Sequence, residues 1–92
     1  MTSEKIKKQS VKSFEDRILK ENYLILHNDN IHSFDYVINA LIDICGHAYE
    51  QAVQCTFIAH YKGKCGIKKG VLETLEHMKE VLTERKLNVT ID

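Results

Sequence analysis

Two sets of polar side chains have residue types that could bind a small cation. The first is the run Asn28, Asp29 and Asn30, which directly follows an apolar stretch, and the second is His60. An ammonium group has three hydrogen-bond donors and no acceptor, so its site must offer two or three oxygens, with at least one preferably anionic. Asn28 and Asp29 carry such oxygens, and the His60 imidazole can accept a hydrogen bond directly or through water. Together they form a candidate site for a small cationic group such as a free amino terminus.

The same residues also have purely structural interpretations. Short polar side chains after a strand commonly bond to their own backbone in a turn and cap the helix that follows. A single histidine among apolar residues is commonly a semi-buried side chain bonded to a backbone carbonyl. Spacing alone does not separate these interpretations of Asn28, Asp29 and His60 from the binding site.

The cysteines suggest two further chemistries, both with weak support in the spacing. Cys45, Cys55 and Cys65 form no CxxC pair and are odd in number, which argues against a disulfide framework and predicts buried reduced thiols. The cysteines and histidines also lack the close pairs typical of a structural zinc site. Cys65 and His60 could act as nucleophile and base, but no third residue is recognisable as the group that orients them. We predict no metal, no cofactor and no catalytic residue, with a small thiol or metal enzyme as an alternative.

Five residues near the polar groups could line a pocket for one apolar side chain. They are Phe34, Val37, Thr56, Phe57 and Ala59. Helical spacing makes an ordinary core the simplest interpretation for all of them except Phe34, which lies near the polar turn.

Sequence patterns predict the elements that must hold these groups in place. The aliphatic and aromatic run at residues 23–27 is typical of a strand and ends at the polar turn. Ser33 is a predicted N-cap, and a helix with apolar residues three and four apart extends from it to Gly46, a predicted C-terminal stop. A second helix with the same spacing begins near Tyr49 and carries His60 close to its end.

The remaining elements complete a small α+β fold. The patterns predict a short strand over residues 63–67, a helix over residues 71–82 and a closing strand of alternating apolar residues over 87–91. This order predicts a small sandwich, with a three-stranded antiparallel sheet and three helices against one face. Residues 1–21 are polar with scattered apolar residues and are predicted to be a mobile amino-terminal extension, so that the domain spans residues 22–92.

The composition is that of one ordinary globular domain. The 92 residues contain 13 Lys+Arg and 13 Asp+Glu, and this balance does not imply attraction to nucleic acid or to an anionic membrane. The chain is too short for a separate catalytic domain. It has neither an apolar run long enough to span a bilayer nor the amino-terminal apolar stretch of a secretory signal. We predict a cytoplasmic monomer with no nucleic-acid and no membrane partner.

Three motifs, taken together, carry a family resemblance. They are YLILHND at residues 23–29, the predicted helix after it, and AHYKGKCG at residues 59–66. Each motif alone is weak, whereas the combination is specific. Over residues 22–92 the chain resembles ClpS, the adaptor that delivers N-degron substrates to a Clp protease.

The resemblance implies a non-enzymatic adaptor. Such a protein would bind proteins that begin with a large apolar residue, typically Leu, Phe, Tyr or Trp. It would deliver them to a hexameric AAA+ Clp unfoldase of the ClpA or ClpC kind, with the amino-terminal extension engaging the unfoldase. By this resemblance Asn28, Asp29 and His60 would hold the α-amino group of the substrate. The side-chain pocket would be formed by Phe34 at a gatekeeper position, Val37, Thr56, Ala59 and Leu87.

The chain departs from the family pattern at three positions of this site. Asn30 stands where many members have a second Asp, which lowers the negative charge at the mouth. Phe34 is larger than the Met common at the gatekeeper position, and Thr56 replaces a bulkier apolar residue, so volume is redistributed across the pocket. Because of these changes, the sequence does not predict the order in which the site prefers Leu, Phe, Tyr and Trp as the first residue of a substrate. An interaction module of related fold that binds no N-degron is a further alternative.

Overall fold

A three-stranded antiparallel sheet and three helices form the domain in this computed structural model, which describes Glu15 and residues 20–92. The elements in chain order are β1 (Glu21–His27), α1 (Phe34–Cys45), α2 (Tyr49–Lys62), β2 (Lys64–Val71), α3 (Leu72–Glu84) and β3 (Val89–Ile91). Strand β1 is central, since the sheet order is β2-β1-β3 and both neighbours pair with β1 antiparallel. The predicted α+β fold class is confirmed. Apart from Glu15, Lys20 and Glu21, the extension predicted over residues 1–21 lies outside the described residues.

The helices cover one face of the sheet because β1 alternates buried and more exposed side chains. Leu24 and Leu26 are buried, whereas Tyr23 is exposed and Ile25, between the two leucines, is half-buried. The largest fully buried side chains of the core are Leu24, Leu41, Leu75, Leu82 and Cys45. Burying one leucine side chain stabilises the fold by about 1.5–3 kcal/mol. This shared core therefore fixes the end of β1 and the polar turn that follows it.

Helix α1 begins and ends where the sequence predicts. The Ser33 hydroxyl oxygen accepts a hydrogen bond from the Tyr36 N–H at 3.1 Å, which satisfies one of the free amides at the helix start. Gly46 ends the helix with a φ of 69°, a conformation that costs residues with a Cβ atom about 1–2 kcal/mol. The first turn of α1, with Phe34, is therefore fixed directly beside the polar turn.

Several boundaries differ from the sequence predictions. Strand β2 extends to Val71 instead of ending at Ile67, because Lys68, Lys69, Gly70 and Val71 also pair with β1. The lysines in β2 suit an edge strand. Val71 therefore ends β2 and does not begin α3. Strand β3 begins at Val89 instead of Leu87, since the Leu87 N–H donates to the Leu82 carbonyl at 3.1 Å where α3 ends.

A β-bulge in β2 accommodates a buried histidine. The register between β1 and β2 shifts after Leu24, so that Ile67 has no partner residue in β1. The Ile67 carbonyl instead accepts a hydrogen bond from Nε2 of His47 at 2.6 Å, which replaces a missing ladder bond. The buried histidine bonded to a backbone carbonyl is therefore His47, whereas His60 is exposed.

Candidate functional site

The polar turn after β1 is attached to the end of α2 by a backbone hydrogen bond. The Asn28 N–H donates to the Gly63 carbonyl at 2.9 Å, and the Gly63 N–H donates to the Ala59 carbonyl at 3.0 Å. Gly63 has a φ of 94°, which residues other than glycine rarely adopt. The chain therefore turns immediately after α2, and His60 lies at the same end of the domain as Asp29.

A small cavity lies at this junction of β1, α1 and α2. Its lining residues are Leu26, His27, Asn28, Asp29, His32, Phe34, Val37, Thr56, Ala59 and His60. The three residues expected to hold an amine thus meet four of the five expected to form the side-chain pocket. The fifth, Leu87, is not among the lining residues; its side chain is 3% exposed and belongs to the main core.

The cavity is too small for a side chain in this conformation. Its volume is about 20 Å³, close to the space that one water occupies. The inner wall is formed by Val37, Thr56 and Ala59, all of which are buried. The Thr56 hydroxyl donates to the Ala52 carbonyl at 2.7 Å, so its polar atom is already paired and the wall can accept an apolar group without an unsatisfied hydroxyl. A leucyl or phenyl group can enter only if the outer edge moves.

Aromatic rings form that outer edge. The half-buried Phe34 ring meets Phe57 edge-on at a centroid distance of 4.8 Å and His60 at 5.0 Å. Phe57, which the sequence also suggested for the pocket, touches Phe34 but is not among the lining residues. Each such ring pair contributes about 0.5–1.5 kcal/mol, so moving Phe34 away from both neighbours costs about 1–3 kcal/mol.

Asp29 carries the negative charge at the mouth and is held by its own turn. Its Oδ1 accepts hydrogen bonds from the N–H groups of Ile31 and His32, each at 3.0 Å, and its Oδ2 lies 3.2 Å from Nδ1 of His32. These are the turn contacts that the structural interpretation expects. A carboxylate nevertheless has about four acceptor positions. Asp29 can therefore form the turn and still accept a hydrogen bond from a bound cation.

The surroundings of Asp29 favour its ionised form. Burial alone raises the pKa of the carboxyl, but the N–H groups of His32 and Ile31 and the His32 side chain outweigh burial, so the pKa lies below its usual value. The Asp29 side chain is 17% exposed. A charged acceptor is thus present at neutral pH and only partly surrounded by water.

His32 is a residue of the site that sequence reasoning missed. It lines the cavity, pairs with Asp29, and stacks on Tyr36 with ring centroids 4.5 Å apart. The Tyr36 hydroxyl donates to the Arg85 carbonyl at 2.8 Å, which ties the turn to the segment between α3 and β3. The only signal in the sequence was that Asp29 and His32 are three residues apart. That spacing does not predict a contact unless the intervening residues form a turn.

The other chemistries considered from the sequence are not assembled at this cavity. Cys65 is half-buried, contrary to the prediction for all three thiols, and is not among the lining residues. Burial raises the pKa of Cys45 to about 11 and that of Cys55 to about 12, so both thiols are protonated at neutral pH. Within residues 20–92, no cluster of three His, Cys, Asp or Glu side chains is arranged to hold a metal ion. No helix in that same range has the length and apolar character needed to cross a bilayer.

A larger groove lies on a different part of the domain. Its volume is about 730 Å³, and it runs between α3 and the edge of the sheet at Thr90 and Ile91. It contains none of the residues that the sequence singled out, and the charged side chains of α3 along it are typical of a solvated helix face. The small cavity therefore remains the candidate site.

Comparisons with known proteins bear on both the family and the fold. The family model described as ATP-dependent Clp protease adaptor protein ClpS matches residues 19–90. Among solved structures, the chain is similar to Agrobacterium tumefaciens ClpS2 bound to L-phenylalaninamide, with a TM-score of 0.68 and 14% sequence identity. That similarity covers 78% of this chain and 94% of the other, and at this identity it shows a shared fold. No curated protein matches the chain.

Proposed function

Because the chain belongs to the ClpS family, we propose that it is a non-enzymatic adaptor that binds N-degron proteins and delivers them to a Clp unfoldase for degradation. The observation that carries this proposal is the cavity at which Asn28, Asp29 and His60 meet a small apolar pocket. An N-degron consists of a free α-amino group and a large apolar first side chain, so its recognition needs both parts. The L-phenylalaninamide bound to the similar ClpS2 has the same two groups.

The α-amino group binds at the mouth of the cavity. Asp29 supplies the charge, the exposed Asn28 amide supplies a neutral oxygen, and His60 accepts a hydrogen bond directly or through water. A hydrogen bond to a charged group contributes about 1.5–3 kcal/mol. An internal peptide N–H is a single, uncharged donor. It would exclude water from Asp29 without compensating the negative charge of that carboxylate. The site therefore selects chain ends, which is a known mode of peptide recognition.

The first side chain enters the pocket after Phe34 moves aside. Burying a leucine or phenylalanine side chain contributes about 1.5–3 kcal/mol, which offsets the cost of about 1–3 kcal/mol for separating Phe34 from its two ring neighbours. Small or polar first residues cannot offset that cost. The closed cavity and the Phe34 edge together thus predict a preference for large apolar residues.

Delivery requires a second partner in addition to the substrate. We propose a hexameric AAA+ unfoldase of the ClpA or ClpC kind, engaged through residues 1–20 of a monomeric cytoplasmic adaptor. The family match supports a Clp partner, and these residues precede β1 and the candidate site. Deleting residues 1–15 should leave peptide affinity unchanged and stop delivery of a substrate to the protease. Loss of peptide binding would instead make the extension part of the binding domain.

An array of peptides that differ only in their first residue tests the proposed function. Peptides with a free Leu, Phe, Tyr or Trp should bind, whereas those with Ser or Glu should not. First residues branched at Cβ should bind weakly, because the branch lies at the narrow mouth. If no peptide with a free apolar first residue binds, the alternative of an interaction module of related fold is favoured.

A further inference from the structure

Helix α2 presents a row of apolar side chains to solvent. Tyr49, Val53, Phe57 and Tyr61 are four residues apart and lie along one side of the helix. Tyr49 is 63% exposed, Phe57 43% and Tyr61 71%, while Val53 is half-buried. We name these four side chains the α2 ridge.

The α2 ridge is continuous with the candidate site. Phe57 stacks on Tyr61 with centroids 5.9 Å apart and planes inclined by 14°, and it meets Phe34 edge-on. Tyr61 also meets the His60 ring at 4.7 Å. Since Phe34 and His60 line the cavity, a connected set of rings extends from the mouth to the outer side of α2.

Packing within the domain accounts for Val53, which contacts the core, but not for the three aromatic rings of the α2 ridge. The buried positions of α2 are the small residues Ala52, Cys55, Thr56 and Ala59, so the large rings remain largely outside the core. Contiguous exposed apolar surface in a soluble protein usually marks an interaction site. Tyrosine and phenylalanine are enriched at such sites because they bury a large area with few rotatable bonds.

The geometry of the proposed complex indicates what covers this surface. When the α-amino group is at Asp29 and the first side chain is inside the cavity, the tetrahedral Cα atom directs the carbonyl away from both. His60 lines the cavity, and its ring meets Tyr61 at 4.7 Å whether or not Phe34 has moved aside. We place the rest of the bound chain along this exposed ring contact, where it reaches Tyr61 and then Phe57.

We infer that the α2 ridge binds the residues that directly follow the first residue of an N-degron protein and that it prefers apolar or aromatic side chains there. This inference rests on the proposed function and adds a second specificity element to it. The distance from Tyr61 to Tyr49 along the helix is about 18 Å, which matches about five residues of extended chain. Positions 2 to 6 of the substrate are therefore the ones that the α2 ridge contacts.

Two peptides that both begin with a free Leu and have no charged side chains test this inference. In the first peptide, positions 2 to 6 alternate between an apolar residue, Phe or Val, and Ser. In the second peptide, the same positions contain only Ser and Gly. Fluorescence anisotropy with the full chain should give an affinity at least fivefold higher for the apolar peptide. The double variant Tyr49→Ser and Tyr61→Ser should lose this difference. Tyr23→Ser, which removes an exposed tyrosine from the open face of the sheet, is the matched control and should retain it.

The possible outcomes separate this inference from the proposed function. Equal affinity of the wild-type chain for both peptides, with binding abolished by amino-terminal acetylation, overturns the inference and leaves the function intact. Retention of the difference in the double variant also overturns the inference. Failure of both peptides to bind refutes the function as well. If sedimentation shows that the wild-type chain self-associates and the double variant does not, the α2 ridge is a contact between two copies and the inference is wrong.

Discussion

Replacing Asp29 by Asn should weaken binding of a peptide that begins with Leu by about tenfold or more. The change is nearly isosteric, and the remaining amide oxygen can still accept hydrogen bonds from the N–H groups of Ile31 and His32. The turn is therefore preserved while the charge at the mouth is removed. The substitution thus tests the charge of Asp29 separately from its structural role.

The magnitude follows from the charge pair at the mouth. The bound ammonium group stays charged in the variant, so Asp29→Asn removes the attraction between two opposite charges and leaves one hydrogen bond to a neutral amide oxygen. Close charge pairs at binding sites couple by about 1.5 kcal/mol or more, and about 1.4 kcal/mol corresponds to tenfold in affinity. Because the Asp29 side chain is only 17% exposed, water and salt screen this interaction less than they would at an open surface.

Fluorescence anisotropy with a labelled peptide provides the assay for Asp29→Asn, and thermal unfolding of the same samples verifies that the variant is folded. Asp35→Asn is the matched control, since Asp35 lies exposed in the first turn of α1 and is not among the cavity's lining residues. It changes the net charge equally and should retain wild-type affinity. Binding by Asp29→Asn within twofold of wild type would refute the reasoning, as would an equal loss in Asp35→Asn.

Four further predictions follow from the same geometry. Phe34→Ala should widen the cavity and reduce discrimination against small first residues, as measured with the peptide array. Peptide affinity should fall at acidic pH, as the pH passes through the lowered pKa of Asp29 and the carboxylate loses its charge. The free energy of unfolding should also decrease at acidic pH. The contribution of Asp29 is complete above its unfolded pKa of about 3.9 and is lost as the pH falls through the lower pKa of the folded state. Urea unfolding at several pH values measures this loss. Gly63→Ala should lower the free energy of unfolding by about 1–2 kcal/mol, because the φ of Gly63 is 94°. An added Cβ would meet no atom within 4 Å, so the cost comes from the backbone conformation alone. Gly66→Ala, at a glycine without a positive φ, is the control in urea unfolding.

Local features of the fold were predictable because neighbouring residues determine them. Ser33 caps α1 through a hydroxyl three residues from the amide it binds, and Gly46 ends the helix through its own backbone conformation. The length of β2 was not predictable, since its lysines lie in a strand only because β1 pairs with them. The end of α3 similarly takes Leu87 out of the closing strand through a hydrogen bond to Leu82.

The candidate site depends on contacts between distant parts of the chain. Asp29 and His60 were recognisable as residue types, but their meeting at one cavity depends on the bond between Asn28 and Gly63, which spacing does not reveal. The resemblance to ClpS supplied the connection that pattern alone could not. Neither pattern nor resemblance indicated the pairing of His32 with Asp29 or the small volume of the cavity, because both result from side-chain packing in this chain.

The central claim is that the cavity binds a free α-amino group together with an apolar first side chain. Titration of one Leu-initiated peptide, free and amino-terminally acetylated, against the full chain by isothermal calorimetry at pH 7 tests it most directly. Acetylation removes the positive charge and all but one donor at the mouth, and it should weaken binding by about hundredfold. Equal affinity for the two peptides would contradict the account.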